Sequence, residues 1–249
     1  MIRLFVEEGL RPGYPDISLS KAQAHYLCNV MRLRDGDEVV VFNGRDPEAL
    51  TILRRNVGRG ADSILAIERL GYRPFVASPD LCLVAAMVKR GRLEMIVEKA
   101  TELGVRHVQL AITERTNMDH TNVPRLQSIA IEASEQTERM DVPEIVAPRH
   151  LKQILADWPA ERPLMFCDEA GDAPPALAAL AGRPGGTSPG AWGVLVGPEG
   201  GFSPRERALI RGLAQAVPVS LGPRILRADT AAIAALTLWQ SALGDLKTS

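Results

Sequence analysis

The spacing of apolar residues changes near residue 80 of this 249-residue chain. Beyond that point, short continuous apolar runs predict buried strands, and segments with helical periodicity lie between them. The predicted strands cover residues 81–87, 108–112, 144–147, 164–167, 192–196 and 217–221. Alternation of strands and helices is typical of an α/β domain with a mostly parallel sheet and helices on both faces.

The first 73 residues predict a small β-rich module instead. Its predicted strands cover residues 3–6, 38–42, 49–54 and 62–68. Asn43-Gly44, between the second and third of them, is a strong hairpin signal. The proline-containing stretch at 73–80 has the composition of a linker, so we expect one domain at 1–73 and a second at 74–249.

One short helix is predicted inside the first module. Ser20 and Gln23 have the spacing of a capping box, which starts a helix by satisfying its free amide groups. The apolar face of this helix is predicted to consist of Leu27, Val30 and Met31.

Two glycine-marked turns follow the last two predicted strands. They are Gly197-Pro198-Glu199-Gly200-Gly201-Phe202 and Leu221-Gly222-Pro223-Arg224-Ile225-Leu226-Arg227. Ligands of α/β proteins bind at the carboxyl ends of the strands, and glycine lets the backbone approach a ligand closely. Either turn alone could be an ordinary tight connection, but the two together predict a pocket. A further stretch rich in Gly and Pro, residues 182–190, is expected to form a surface loop.

These loops and several other motifs resemble the 16S ribosomal RNA (uracil-N3) methyltransferases of the SPOUT superfamily. The remaining matches are Lys99-Ala100-Thr101-Glu102-Leu103-Gly104-Val105, Glu114-Arg115, Glu135-Gln136, Arg139, Val142-Pro143-Glu144-Ile145 and Ala228-Asp229-Thr230-Ala231. The resemblance implies a SPOUT-type mostly parallel sheet with a C-terminal trefoil knot, preceded by a PUA-like β-barrel. General topology rules would not predict a knot. The resemblance also implies methylation of uridine N3 in 16S ribosomal RNA, on the assembled small subunit, with S-adenosylmethionine (SAM) as cofactor.

The same resemblance assigns candidate site residues. We expect the cofactor to be bound by Gly197, Glu199, Gly200, Gly201, Leu221, Gly222, Ile225 and Leu226, and residues 166–169 to supply a third wall. RNA contacts are expected from Arg3, His25, Arg32, Arg115 and Arg139. A local ion pair or hydrogen bond is the alternative role for His25, Arg115 and Arg139.

Arg227 and Asp229 are the candidate catalytic residues. Methylation of uracil N3 requires loss of a weakly acidic proton, and a cation near the developing anion favours that loss. Arg227 ends the second loop and is the first choice for this cation, ahead of Arg115 and Arg139. Asp229 stands where the family usually has Glu, one methylene longer, so it could act as base, cap the following helix or orient an arginine.

Composition narrows the possibilities further. A net charge of -1 is unusual for an RNA-binding protein, but arginines cluster near the second loop. The three cysteines and four histidines are scattered, so no metal site is expected. The N-terminus has no signal-peptide pattern and no apolar run approaches the roughly 18 residues of a membrane span, which predicts a cytoplasmic protein with no membrane partner.

Two other functions remain open. A non-catalytic RNA-binding ribosome assembly factor would have the same basic surface, with the glycine loops as plain turns. The second is an α/β enzyme that uses a dinucleotide or a phosphate, but this sequence lacks the glycine-rich motifs that are typical of such enzymes. Cofactor binding would separate these possibilities. The apolar helix predicted over 230–243 also favours a homodimer, with packing inside one subunit as the alternative.

Overall fold

A computed structural model describes residues 1–12, 16–55, 63–116, 118–170, 172–183 and 191–247 of the chain. The chain divides into two compact units, one containing Met1–Ala77 with Ser134–Asp141 and the other Ser78–Ala133 with Val142–Ser249. In the described part of the chain, no helix combines the length and apolarity that crossing a membrane requires.

The first unit is built on a five-stranded sheet in the order β1-β3-β4-β5-β2. Its strands are β1 (Arg3–Phe5), β2 (Ile17–Ser18), β3 (Glu38–Phe42), β4 (Glu48–Arg54) and β5 (Ile64–Arg73). The β3–β4 pair is antiparallel around Asn43 and Gly44, and Gly44 has a φ of 77°, which confirms the predicted hairpin. Strand β1 runs parallel to β3, and the short β2 was not predicted.

The predicted helix of the first unit forms but is not regular. Its capping box between Ser20 and Gln23 is present, and α1 (Lys21–His25) continues into a π-helical turn, Tyr26–Val30. Because a π-helix has more residues per turn than an α-helix, the predicted apolar face is not maintained. Leu27 is buried, whereas Val30 and Met31 are exposed, so the prediction of one shared face was wrong.

The second unit contains a six-stranded sheet in which every pairing is parallel. The strands are β6 (Leu81–Ala86), β7 (His107–Ile112), β8 (Glu144–His150), β9 (Leu164–Cys167), β10 (Trp192–Val196) and β11 (Ala216–Val219). Their order is β11-β9-β10-β6-β7-β8. The predicted α/β architecture with a parallel sheet is thereby confirmed.

Helices connect these strands and cover the sheet. They are α2 (Arg90–Glu102), α3 (Val123–Gln136), α4 (Leu151–Ala156), α5 (Ala176–Leu180), α6 (Pro204–Arg211) and α7 (Ala228–Leu243). Helix α2 buries Leu93, Ile96, Val97 and Ala100, as its periodicity predicts, and Gly104 ends it with a φ of 76°. Helix α7 begins before the predicted residue 230, and its Leu236, Trp239 and Leu243 belong to the core of the unit.

Three sequence-based predictions, on the surface loop, the knot and the domain boundary, are not tested by the structure. Most of the predicted surface loop at 182–190 lies outside the described residues. The trefoil knot and a domain boundary at residue 73 stay predictions.

Candidate functional site

A cavity of about 190 Å³ lies at the carboxyl ends of β9, β10 and β11. Strand β9 is hydrogen-bonded between the other two, so the segments that follow all three strands meet at one edge of the sheet. The lining residues are Cys167, Asp168, Glu169, Val196, Gly197, Pro198, Glu199, Gly201, Ser220, Leu221, Gly222, Pro223, Arg224, Ile225, Leu226, Ala228 and Ala231. The two glycine-marked loops therefore form one pocket, and the segment after β9 supplies its third wall.

The loop after β10 is packed tightly against other parts of the unit. A Cβ atom on Gly197 would lie 2.7 Å from the Phe202 ring, which stacks edge-on against Phe166. Gly201 has a φ of 67°, and a Cβ there would lie 2.4 Å from Oε1 of Glu169. That oxygen accepts a hydrogen bond from the Phe202 amide at 3.1 Å. Glycine is thus required at 197 for space and at 201 for both space and conformation.

The loop after β11 has few such contacts. Gly222 has a φ of 112°, and a Cβ on it would meet no atom of a described residue within 4 Å. The Ile225 side chain is 93% exposed. Arg224 and Arg227 are exposed, and their side chains make no hydrogen bond or ion pair with another described residue. This wall of the cavity is therefore open to a ligand or to a larger partner.

The third wall is held by an ion-pair network beneath the cavity. The fully buried Asp168 carboxylate accepts hydrogen bonds from Arg207 and Arg211, at 2.8 and 2.7 Å. Asp172, which is exposed, pairs with the same two arginines, and hydrogen bonding to Arg211 lowers the pKa of its carboxyl. Two of the arginines near the pocket are thus neutralised inside the unit, while Arg224 and Arg227 are not.

The candidate carboxylate Asp229 lies in the first turn of α7. One of its oxygens accepts from the Thr230 amide at 2.9 Å, so it helps to satisfy the free amides of the helix N-terminus. Its oxygens also lie 3.2 and 3.4 Å from Nη1 of Arg92. The Nε atom of Arg92 lies 2.7 Å from Glu199, in the other loop. Arg92 was not identified from the sequence, because its two partners are remote along the chain.

Cys167 lines the cavity at the end of β9. Burial raises the pKa of its thiol to about 12, so it stays protonated and is a poor nucleophile. Among the described residues, no group of three or more His, Cys, Asp or Glu side chains is placed to hold a metal ion.

The remaining predicted residues have mixed positions. All eight predicted cofactor residues except Gly200 line the cavity. Gly200 lies in the same loop, where its carbonyl accepts a hydrogen bond of 2.8 Å from Arg115. Arg115 is therefore anchored to the wall of the pocket. His25 and Arg32 are exposed in the first unit, and Arg32 has a left-handed φ of 59°.

The structure corrects the prediction that Arg3 and Arg139 contact RNA. Arg3 is buried: it pairs with Glu48, stacks over Phe42 at 4.4 Å and donates to the carbonyl oxygen atoms of Ser134 and Arg139. The Arg139 side chain is 7% exposed and pairs with Asp141 at 2.8 Å. Because both guanidinium groups are engaged inside the first unit, they are not available to phosphate. Nothing in their local sequence signals this burial.

Comparison with known proteins is consistent with this geometry. Residues 76–240 match the RNA methyltransferase domain family, and residues 19–54 match the RNA methyltransferase PUA domain family. The ribosomal RNA small subunit methyltransferase E of Synechocystis sp. is 32% identical over 88% of this chain and 71% of its own length. The enzyme of the same name from Rickettsia conorii is 29% identical, over 94% and 93%.

Solved structures include two similar proteins with the cofactor bound. The Legionella pneumophila protein Lpg2936, in complex with SAM, has a TM-score of 0.84 at 30% identity, covering 98% of both chains. Ribosomal RNA small subunit methyltransferase E from Neisseria gonorrhoeae, bound to SAM, has a TM-score of 0.79 at 26% identity, covering 98% of this chain and 99% of that chain. With a family match over most of its length and these relatives, the chain belongs to the RNA methyltransferase family that includes ribosomal RNA small subunit methyltransferase E.

Proposed function

We propose that this protein transfers a methyl group from SAM to N3 of a uridine in 16S ribosomal RNA, within the small ribosomal subunit. The observation that carries this proposal is the cavity between the two glycine-marked loops, in a chain whose similar structures were solved with SAM bound. A non-catalytic assembly factor would not need such a cavity, and it is not favoured.

The residues present fit SAM. The cavity has an apolar lining, which suits the faces of an adenine ring. This lining is formed by Val196, Leu221, Leu226, Ala228 and Ala231. At Gly222 no described residue takes the space of a Cβ, so the backbone can approach the ligand. SAM, when bound, supplies a methyl group on a cationic sulfur. The Glu199 carboxylate also lines the cavity, where it is paired with Arg92 at 2.7 Å.

Arg227 is proposed to stabilise the anion that forms when uracil loses its N3 proton to solvent water, before that nitrogen takes the methyl group from the sulfur of SAM. Its guanidinium is exposed, has no partner among the described residues, and directly follows the cavity-lining Leu226. Asp229 is proposed to orient and cap rather than to act as base, because Arg92 and the Thr230 amide already occupy its oxygens. Catalysis of this type depends mainly on positioning and electrostatics.

The direct test maps modified nucleotides in 16S ribosomal RNA from cells with and without the gene. Loss of one N3-methyluridine, restored by the wild-type gene, is the expected result. With purified protein, R227Q should lower kcat by about 100-fold, comparable to removal of one oxyanion-stabilising donor. R224Q, in the same loop, should mainly raise KM for RNA. An unchanged modification map would refute the proposed reaction.

The first unit is proposed to bind RNA through the surface that contains His25 and Arg32. The exposed Val30 ends the π-helical turn, and the exposed Met31 and the left-handed Arg32 follow it directly. Backbone strain of this kind is often retained at functional sites. R32Q should weaken RNA binding and reduce the magnitude of its salt dependence by about one unit of slope. An unchanged slope would remove Arg32 from the RNA surface.

Deleting residues 1–73 is a poor test of this role. The Phe5 amide donates to Glu135 at 2.8 Å, and Arg73 donates to the Glu138 carbonyl oxygen at 2.8 Å. The deletion would therefore also remove the partners of residues 134–141. Point variants at His25 and Arg32 avoid this damage.

A homodimer and a cytoplasmic location complete the proposal. The α7 residues Ile233 and Leu238 are only partly buried, and Ile225 is almost fully exposed, which leaves apolar surface for a second copy. Sedimentation at micromolar concentration should give twice the monomer mass, and a monomer would contradict the dimer.

A further inference from the structure

Arg92 joins two segments that line or border the cavity. Its Nε atom lies 2.7 Å from Glu199, in the loop after β10, and its Nη1 atom lies 3.2 Å from Asp229, in the first turn of α7. Arg92 itself belongs to the first turn of α2, and it is 137 residues from Asp229 along the chain. Three elements are thus fastened through one guanidinium.

The charges explain why a cation is needed at this point. Without Arg92, two carboxylates would face each other beside the cavity, and their repulsion would push the loop and the helix apart. The Arg92 and Asp229 side chains are only 24% and 15% exposed, so solvent screens their attraction incompletely. A planar guanidinium can serve both carboxylates at once, which an ammonium group does less well.

We propose that Arg92 is a positioning residue: by holding Glu199 and Asp229 together, it fixes the separation of the two walls that bind the cofactor. This role rests on the proposed function. Arg92 does not line the cavity itself, so its effect reaches the cofactor through the two carboxylates.

The side-chain length of Asp229 matches its distance from the Arg92 guanidinium. Both of its oxygens are near Nη1, at 3.2 and 3.4 Å, so the short carboxylate already reaches the guanidinium. A glutamate at 229 would carry its charge one methylene further and would require Arg92 or the first turn of α7 to move. D229E should therefore weaken cofactor binding, and by less than R92Q.

The experiment measures the affinity of the full-length protein for S-adenosylhomocysteine by calorimetry. R92Q should bind about tenfold more weakly than wild type, which corresponds to about 1.4 kcal/mol. The matched control is R90Q, because Arg90 lies on the same helix turn, is largely exposed and, among the residues that the structure describes, pairs only with Glu94, at 2.9 Å. R90Q should bind like wild type. Equal affinity of R92Q and wild type would overturn the inference and leave the proposed function intact, whereas no binding by wild type would overturn both.

Two further measurements separate positioning from simple stabilisation of the fold. In an E199Q/D229N background, R92Q should no longer reduce affinity, because the groups through which it acts are gone. R92K should recover part of the affinity that R92Q loses, since it can still hold one carboxylate. An undiminished effect of R92Q in the double-variant background, or equal affinities of R92K and R92Q, would contradict the role.

Discussion

The two loops of the cavity have similar compositions but opposite physical states. In the loop after β10, Gly197 and Gly201 are enclosed by Phe202 and Glu169, and Gly200 is held by Arg115. In the loop after β11, Gly222 faces empty space and Ile225 is 93% exposed. The first loop is already in contact with the protein on most sides, and the second is not.

This difference teaches how glycine is used on each side of the pocket. We call the loop after β10 the braced loop and the loop after β11 the open loop. In the braced loop, glycine is needed because neighbouring side chains occupy the position of a Cβ atom, and at Gly201 also for its φ of 67°. In the open loop, it is needed for its backbone angle, since no L side chain readily adopts a φ of 112°. The braced loop is built before any ligand arrives, so the contacts still to be made belong to the open one.

The largest effect is expected from Gly201→Ala. An alanine at a φ of 67° is strained, and its Cβ would displace Glu169 from the Phe202 amide, so we expect a loss of about 3 kcal/mol in stability. Urea unfolding measures this loss. Gly71→Ala is the matched control, because Gly71 has nearly the same φ, 65°, but an open Cβ position among the described residues, and it reports backbone strain alone. Equal losses in the two variants would mean that the loop after β10 is not braced at this point.

Gly197→Ala is expected to cost about 2 kcal/mol through overpacking, because the new methyl group would press on the Phe202 ring. No positive φ is involved at this glycine. Unfolding measurements should show that F202L, which removes part of the ring, relieves the effect in the double variant. Additive losses would contradict direct contact as the cause.

Asp46 lies in the turn between β3 and β4, in the first unit, and this turn provides a comparison with the two loops of the cavity. A hydrogen bond from Asn43, followed by one from Arg11, lowers the pKa of its carboxyl from 3.8 to about 2. D46N should therefore reduce stability by roughly 1–2 kcal/mol at pH 7. Because the folded-state pKa is the lower one, this difference is present above pH 4 and is lost as the pH falls towards 2.

Urea unfolding at several pH values measures the difference, with E7Q as the control for loss of an exposed carboxylate. A gap between D46N and wild type that stays constant down to pH 3 would contradict the assignment. Cofactor affinity should be unchanged in D46N, since its partners lie within the first unit.

The parts of the molecule that could be predicted from sequence are those fixed by local pattern. Strands 164–167 and 192–196 have the predicted bounds, because continuous apolar runs in an α/β protein are buried on both faces. The cavity followed from two glycine-marked loops after the last two strands along the chain, β10 and β11. Arg92 could not be found in this way, since its partners are brought to it by the fold. Burial of Arg3 depends likewise on residues 134–141, and the π-helical turn leaves no periodic signature.

The smallest effect on stability, and the sharpest test of the open loop, is expected from Ile225→Ser. An isoleucine that is 93% exposed contributes almost nothing to folding, so the free energy of unfolding should change by less than about 0.5 kcal/mol. An apolar side chain held in water is nevertheless a ready contact for a partner, and a serine cannot replace that contact. Methyl transfer to small subunits should therefore fall in I225S while its unfolding curve matches that of wild type.

Leu177→Ser supplies the control, since Leu177 is also exposed, at 52%, but lies on α5 and does not line the cavity. If I225S lost stability as well as activity, the loop after β11 would be braced in solution, and the contrast between the two walls would disappear. If I225S and L177S had equal activity, the open loop would have no partner at Ile225.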